Sequence, residues 1–79
     1  MKAIITKYHG PTNTRGSRIS ATDSDGNRVS ISYPYDRDPH RAAAAALCAK
    51  MRWSGTLVQG GTSNGAVFVW YDPADSFTV

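Results

Sequence analysis

One stretch of this sequence can start and sustain a helix, and strand-like alternation surrounds it on both sides. It begins at Asp38-Pro39. An aspartate carboxylate can accept the free N–H groups of a first helical turn, and proline fits the first helical position. Alanines 42–46 follow, and alanine has the highest helix propensity. Lys50 and Arg52 stand where the helix dipole favours cations, and Gly55 offers a left-handed stop. These signals predict a helix over residues 39–53. Its periodicity puts Ala43, Ala44, Leu47, Cys48 and Met51 on the core side and Ala42, Ala45, Ala46 and Ala49 on the back. Trp53 is expected to fold back over the sheet edge.

The rest of the chain alternates with a period of two, the mark of strands with distinct faces. Residues 2–8 read as a strand with Ile4, Thr6 and Tyr8 on one face and Ala3, Ile5 and Lys7 on the other. Residues 9–16 are punctuated by Gly, Pro and Asn and read as a loop. Residues 17–23 form a second strand, with Ile19 and Ala21 opposite Arg18, Ser20 and Thr22. Asp25-Gly26 is a hairpin signal, and residues 27–33 follow with Val29, Ile31 and Tyr33 opposite Arg28, Ser30 and Ser32. After the helix, residues 56–59 and 66–71 read as strands. Gly60 to Gly65 is the turn between them, with positive φ expected at Asn64-Gly65. The last strand is apolar on both faces, so it is central in the sheet or presents a contact surface. The order is β-β-β-α-β-β. It predicts an α+β fold, a mainly antiparallel sheet with one helix on one face. Residues 1–79 are read as a single domain, with a tail at 72–79 that frays.

A chain of 79 residues has a thin core. At 41% hydrophobic and 19% charged it has the composition of a folded domain and not of a disordered one. No apolar run reaches the roughly 18–20 residues that cross a bilayer. Residues 1–7 are too short and too quickly polar for a signal peptide, so a cytoplasmic location is expected.

Little in the sequence points to catalysis. Cys48 is the lone cysteine, expected on the core face of the helix, and His9 and His40 are the two histidines. They make no nucleophile–base arrangement and no four-ligand zinc set. Asp23-Ser24-Asp25-Gly26-Asn27 opens like a calcium loop, but the chain has no glutamate to close one. Gly60-Gly61 lacks the lysine and helix of a phosphate loop. No cofactor and no metal are expected.

Charge is the more informative property. Nine Lys and Arg stand against six acids, giving +3. Residues 1–22 hold four bases and no acid, whereas residues 71–79 hold two aspartates and no base. A basic surface steers a protein toward polyanions or acidic protein surfaces. Lys7, Arg15, Arg18 and Arg28 are the candidate contacts, with Arg18 and Arg28 on the polar face of one hairpin. Tyr33 and Tyr35 are the candidate aromatic contacts, because aromatics beside arginines on an open sheet can stack bases or anchor a protein.

Several segments carry a resemblance. They are Thr6-Lys7-Tyr8, then Gly10-Pro11-Thr12-Asn13-Thr14-Arg15-Gly16-Ser17-Arg18-Ile19 and Ala21-Thr22-Asp23. His40-Arg41-Ala42-Ala43-Ala44, Lys50-Met51-Arg52-Trp53 and Asn64-Gly65-Ala66-Val67-Phe68-Val69 extend it over nearly the whole chain. The sequence resembles a family of small proteins encoded by phages, prophages and plasmids of proteobacteria, most of unassigned function. Within it, the chain is similar to type I-C anti-CRISPR proteins associated with Rhodobacter mobile elements. The resemblance implies a small non-enzymatic inhibitor that binds a type I CRISPR surveillance complex by covering the surface of a Cas subunit or by touching crRNA. It would block target DNA binding or nuclease recruitment. The alternative reading is a phage or plasmid accessory protein that binds nucleic acid through its basic sheet face.

Overall fold

Asp23 shows how the first hairpin closes. Its carboxylate accepts the backbone N–H groups of Asp25 at 3.0 Å and Asn27 at 2.9 Å, and the Asn27 side-chain amide at 2.8 Å. Gly26 takes the positive φ, 90°, that the turn demands. These bonds, the Asn27 side chain first, hold the Asp23 carboxyl below the usual carboxylate range.

The computed structural model describes residues 2–14 and 16–79. Its strands are β1 (Ala3–His9), β2 (Arg18–Asp23), β3 (Arg28–Ser32), β4 (Leu57–Gly61) and β5 (Gly65–Trp70). The helix α1 (Pro39–Met51) separates β3 from β4, and a single 3₁₀ turn spans Pro73–Asp75. The fold is α+β. All four strand pairings are antiparallel, and the order across the sheet is β3-β2-β1-β5-β4. The fifth strand is therefore interior, which is what its apolar run requires. No helix is long and apolar enough to cross a membrane.

Asp38 caps α1 as expected, its Oδ1 accepting from the N–H groups of His40 (2.9 Å) and Arg41 (3.2 Å). Ala43, Ala44 and Leu47 pack against Ile4, Ile19, Ala21, Ala66 and Phe68, all buried. Cys48, Met51 and Trp53 lie partly buried at the edge of this cluster. The helix rests on β1, β2 and β3, reaches β5 less, and meets β4 through the Arg41 side chain, whose Nε donates to Gln59 Oε1 at 2.8 Å.

Two local readings change. The helix ends at Met51, and the left-handed residue is Arg52 (φ 59°, ψ 37°), not Gly55. The N–H of Arg52 bonds the Ala49 carbonyl at 3.3 Å and that of Trp53 the Cys48 carbonyl at 2.9 Å, so orphan carbonyls of the last turn are satisfied early. A non-glycine residue in that region costs about 1–2 kcal/mol. The second change is at Gly65, which lies in β5 and has no positive φ. Its backbone passes so close to β1 that an added Cβ would overlap the Thr6 carbonyl oxygen. β4 runs through Gly60 and Gly61, and the hairpin closes at Thr62 N–H to Gly65 O, 2.9 Å.

Candidate binding face

Residues opposed in an antiparallel sheet share a face, so the register sorts every strand side chain. Ile4 opposes Phe68 and Asp23, Thr6 opposes Ala66 and Ala21, and Ile19 opposes Tyr8 and Ile31. These rows lie under α1. The intervening rows form the other face, over which no described helix or strand packs.

That open face has two halves. On β1, β2 and β3 the rows are His9-Arg18-Ser32, then Lys7-Ser20-Ser30, with Thr22-Arg28 beyond. On β1, β5 and β4 the rows are Ile5-Val67-Gly60 and Ala3-Val69-Val58. One half is basic and hydroxylated; the other is aliphatic. No strand position on the face carries a carboxylate.

The basic half is convergent. His9 Nε2 lies 2.9 Å from the Ser20 hydroxyl, so one of the two donates to the other. Burial lowers the His9 pKa first, and the charges of Arg28, Lys7 and Arg18 lower it further. Three cations from three strands therefore act on one imidazole, which is neutral at pH 7. Ser20 is only 3% exposed although no element covers it, so the longer side chains around it supply the cover. The Arg18 Nε is buried and makes no hydrogen bond among the described residues.

The ion pairs among the described residues leave this cluster out. Lys2 pairs with Asp25 at 3.3 Å and Asp23 at 3.9 Å, Arg37 with Asp36 at 3.2 Å, and Arg41 with Asp38 at 3.8 Å. Lys7, Arg18 and Arg28 pair with no carboxylate. Of the candidate contacts, the structure brings these three together. Arg15 lies outside the described residues.

Tyr33 and Tyr35 fall elsewhere. Tyr8 and Tyr33 meet edge-to-face at 5.5 Å, and Tyr33 and Tyr35 lie 5.0 Å apart at 53°. With Ser17 and His40 they line a cleft of about 450 Å³ beside the start of α1. This is the helix side of the sheet, because Tyr8 is in register with Ile19. Arginines and tyrosines thus form two surfaces and not one, and the open face has no Phe, Tyr or Trp among its strand residues on which a base could stack. Alternation in the sequence already separates Tyr33 from Arg28, but only the register places Tyr8 with it.

One buried polar pair was not legible in the sequence. The Thr6 hydroxyl lies 2.7 Å from His40 Nδ1 and donates to the Ala66 carbonyl at 3.3 Å. Thr6 is 1% exposed. The pair pins the first turn of α1 to the central strands. Cys48 is half-buried, and burial pushes its thiol pKa up, away from the thiolate that a nucleophile needs. Among the described residues, no group of three or more His, Cys, Asp or Glu could hold a metal ion.

No family model matches the sequence, and no curated protein or solved structure matches it significantly.

Proposed function

We propose that this chain is a non-enzymatic inhibitor that binds a type I-C crRNA-guided surveillance complex stoichiometrically through its open sheet face. It would thereby block target DNA binding or nuclease recruitment. The observation that carries the binding mode is the convergence of Lys7, Arg18 and Arg28 on an uncovered, carboxylate-free surface. The partner is supplied by the sequence resemblance. Arginine forks pair with carboxylates of a Cas subunit or with crRNA phosphates in fixed geometry. The aliphatic half, with Ile5 53% and Val58 44% exposed, adds apolar contact beside them. A basic face cannot imitate a phosphate backbone, so inhibition proceeds by covering an acidic surface or touching crRNA.

A second reading is favoured by the hydroxyls of Thr22, Ser30 and Ser32 interleaved with the cations. Hydroxyl, Arg and Lys groups together are typical contacts to phosphate oxygens. On this reading the ligand is nucleic acid, held by its backbone without base stacking.

Co-purification with the surveillance complex, beside free DNA and RNA binding at two salt concentrations, separates the readings. The inhibitor reading expects a stable complex and no shift of free nucleic acid. Three phosphate contacts instead predict about a 40-fold loss of affinity between about 50 and 200 mM salt. Absence of both kinds of binding would remove the open face as the functional surface.

A further inference from the structure

A second concave site lies on the helix side, where the end of α1 meets the end of β5. It is an open cleft of about 690 Å³ lined by Lys2, Arg52, Trp53, Trp70, Tyr71 and Asp75, with Ser54 and Asp72 completing it. That volume is in the range of small-molecule sites, about 300–1,000 Å³. Its walls are fixed. Trp53 and Trp70 meet edge-to-face at 5.7 Å, and the Trp70 indole N–H donates to the Ser54 carbonyl at 2.8 Å. Gly55, at φ 127°, presses so closely that a Cβ would lie 2.7 Å from the Trp70 ring.

Two groups in the cleft are unused. Arg52 occupies the left-handed cap, a position where glycine is preferred, and among the described residues it pairs with no carboxylate. A residue that breaks a local folding rule is a marker of function. Among the described residues the Asp75 side chain likewise makes no hydrogen bond or ion pair, whereas Asp72 accepts from the Ala74 N–H at 3.0 Å. Lys2 is committed: its ammonium sits 4.2 Å from the Trp53 ring centroid and pairs with Asp23 and Asp25. The exposed Tyr71 ring, 63% accessible, provides a further aromatic surface.

A free guanidinium, a free carboxylate and aromatic walls complement a ligand with a planar ring, an edge of N–H donors and an anionic group. We propose that this cleft binds a guanine nucleotide, free or at an RNA end. The phosphate meets Arg52, the ring lies against Tyr71 and the indole wall, and the guanine edge donates to Asp75. Guanine presents two adjacent donors, N1–H and the 2-amino group, to a single carboxylate. Adenine, cytosine and uracil do not. The proposal concerns a different surface from the open face and stands apart from it.

Both tryptophans of the chain line the cleft, so intrinsic fluorescence reads binding directly. GMP should change it saturably, and AMP, CMP, UMP and guanosine should each bind about tenfold or more weakly. Arg52→Gly relieves the strained cap, so the variant should melt at a higher temperature yet lose GMP binding by about tenfold or more. Asp75→Asn should abolish the preference for GMP over AMP. A 5′-phosphorylated RNA beginning with G separates the sources: tighter binding than GMP assigns an RNA end, equal binding the free nucleotide. No saturable change with GMP, or identical binding of all four nucleotides unaffected by Arg52→Gly, would overturn the proposal.

Discussion

The two faces of the sheet are built from the same strands and differ in one step of alternation. On the covered face, Ile4, Ile19, Ala21, Ala66 and Phe68 meet Ala43, Ala44 and Leu47, and the buried Thr6 hydroxyl has partners. On the open face, three cations gather around His9 and Ser20, and the Arg18 Nε has no partner among the described residues. The first arrangement satisfies itself. The second leaves positive charge uncompensated, which favours the folded state little and favours an anionic partner strongly. The difference teaches that one side of the sheet satisfies its own polar groups, and it is the other side to which the proposed function assigns recognition.

Core substitution should break the comparison most severely. Leu47→Ala removes a fully buried side chain between helix and sheet and should cost about 2–5 kcal/mol. In a domain this small that approaches the whole stability. The Arg18→Ala, Arg28→Ala double variant should cost about 1 kcal/mol or less, because the packing lost from the Arg18 stem is offset by relief of mutual repulsion. Urea denaturation of both compares the faces directly.

Two glycines sharpen it next. Gly65→Ala would drive a methyl into the Thr6 carbonyl and part β1 from β5, a loss on the order of 3 kcal/mol. Gly61→Ala, with nothing within 4 Å of its Cβ, should shift the melting temperature little. Thermal melts of the pair test whether Gly65 serves close approach and not turn geometry.

The smallest effect is electrostatic. The His9 pKa is lowered in the folded state, so the unfolded chain binds more protons between the folded pKa and the ordinary value. His9 therefore contributes stability that is full above about pH 6.5 and is lost as pH falls through the folded pKa. NMR titration should show its pKa rising in the Arg18→Ala, Arg28→Ala variant. An unchanged pKa would mean that the cations do not converge.

Much of this was legible because alternation is local. Lys7, Arg18 and Arg28 read as members of polar faces, and Asp38-Pro39 and Asp25-Gly26 announce the helix start and the first turn through their own side chains. What could not be read depends on partners distant in sequence. Nothing near Ile4 says that it opposes Phe68, so the central place of β1 and the role of Gly65 follow only from pairing. The left-handed stop falls at Arg52, where the Trp53 N–H closes on the Cys48 carbonyl, while Gly55 takes its own positive φ, 127°, beside Trp70, a contact across the fold. Tyr33 parts company with the arginines because parity outranks proximity in sequence. In the same way, Thr6 and His40 meet through tertiary packing, with neither neighbourhood announcing the other.

The most direct test of the central claim is capture of the surveillance complex by face-specific variants at matched stability. The Lys7→Ala, Arg18→Ala, Arg28→Ala triple variant should lose co-purification and inhibition, while Tyr35→Ala, on the helix side, retains both. Full inhibition by the triple variant, or its loss in Tyr35→Ala alone, would contradict the assignment of recognition to the open face.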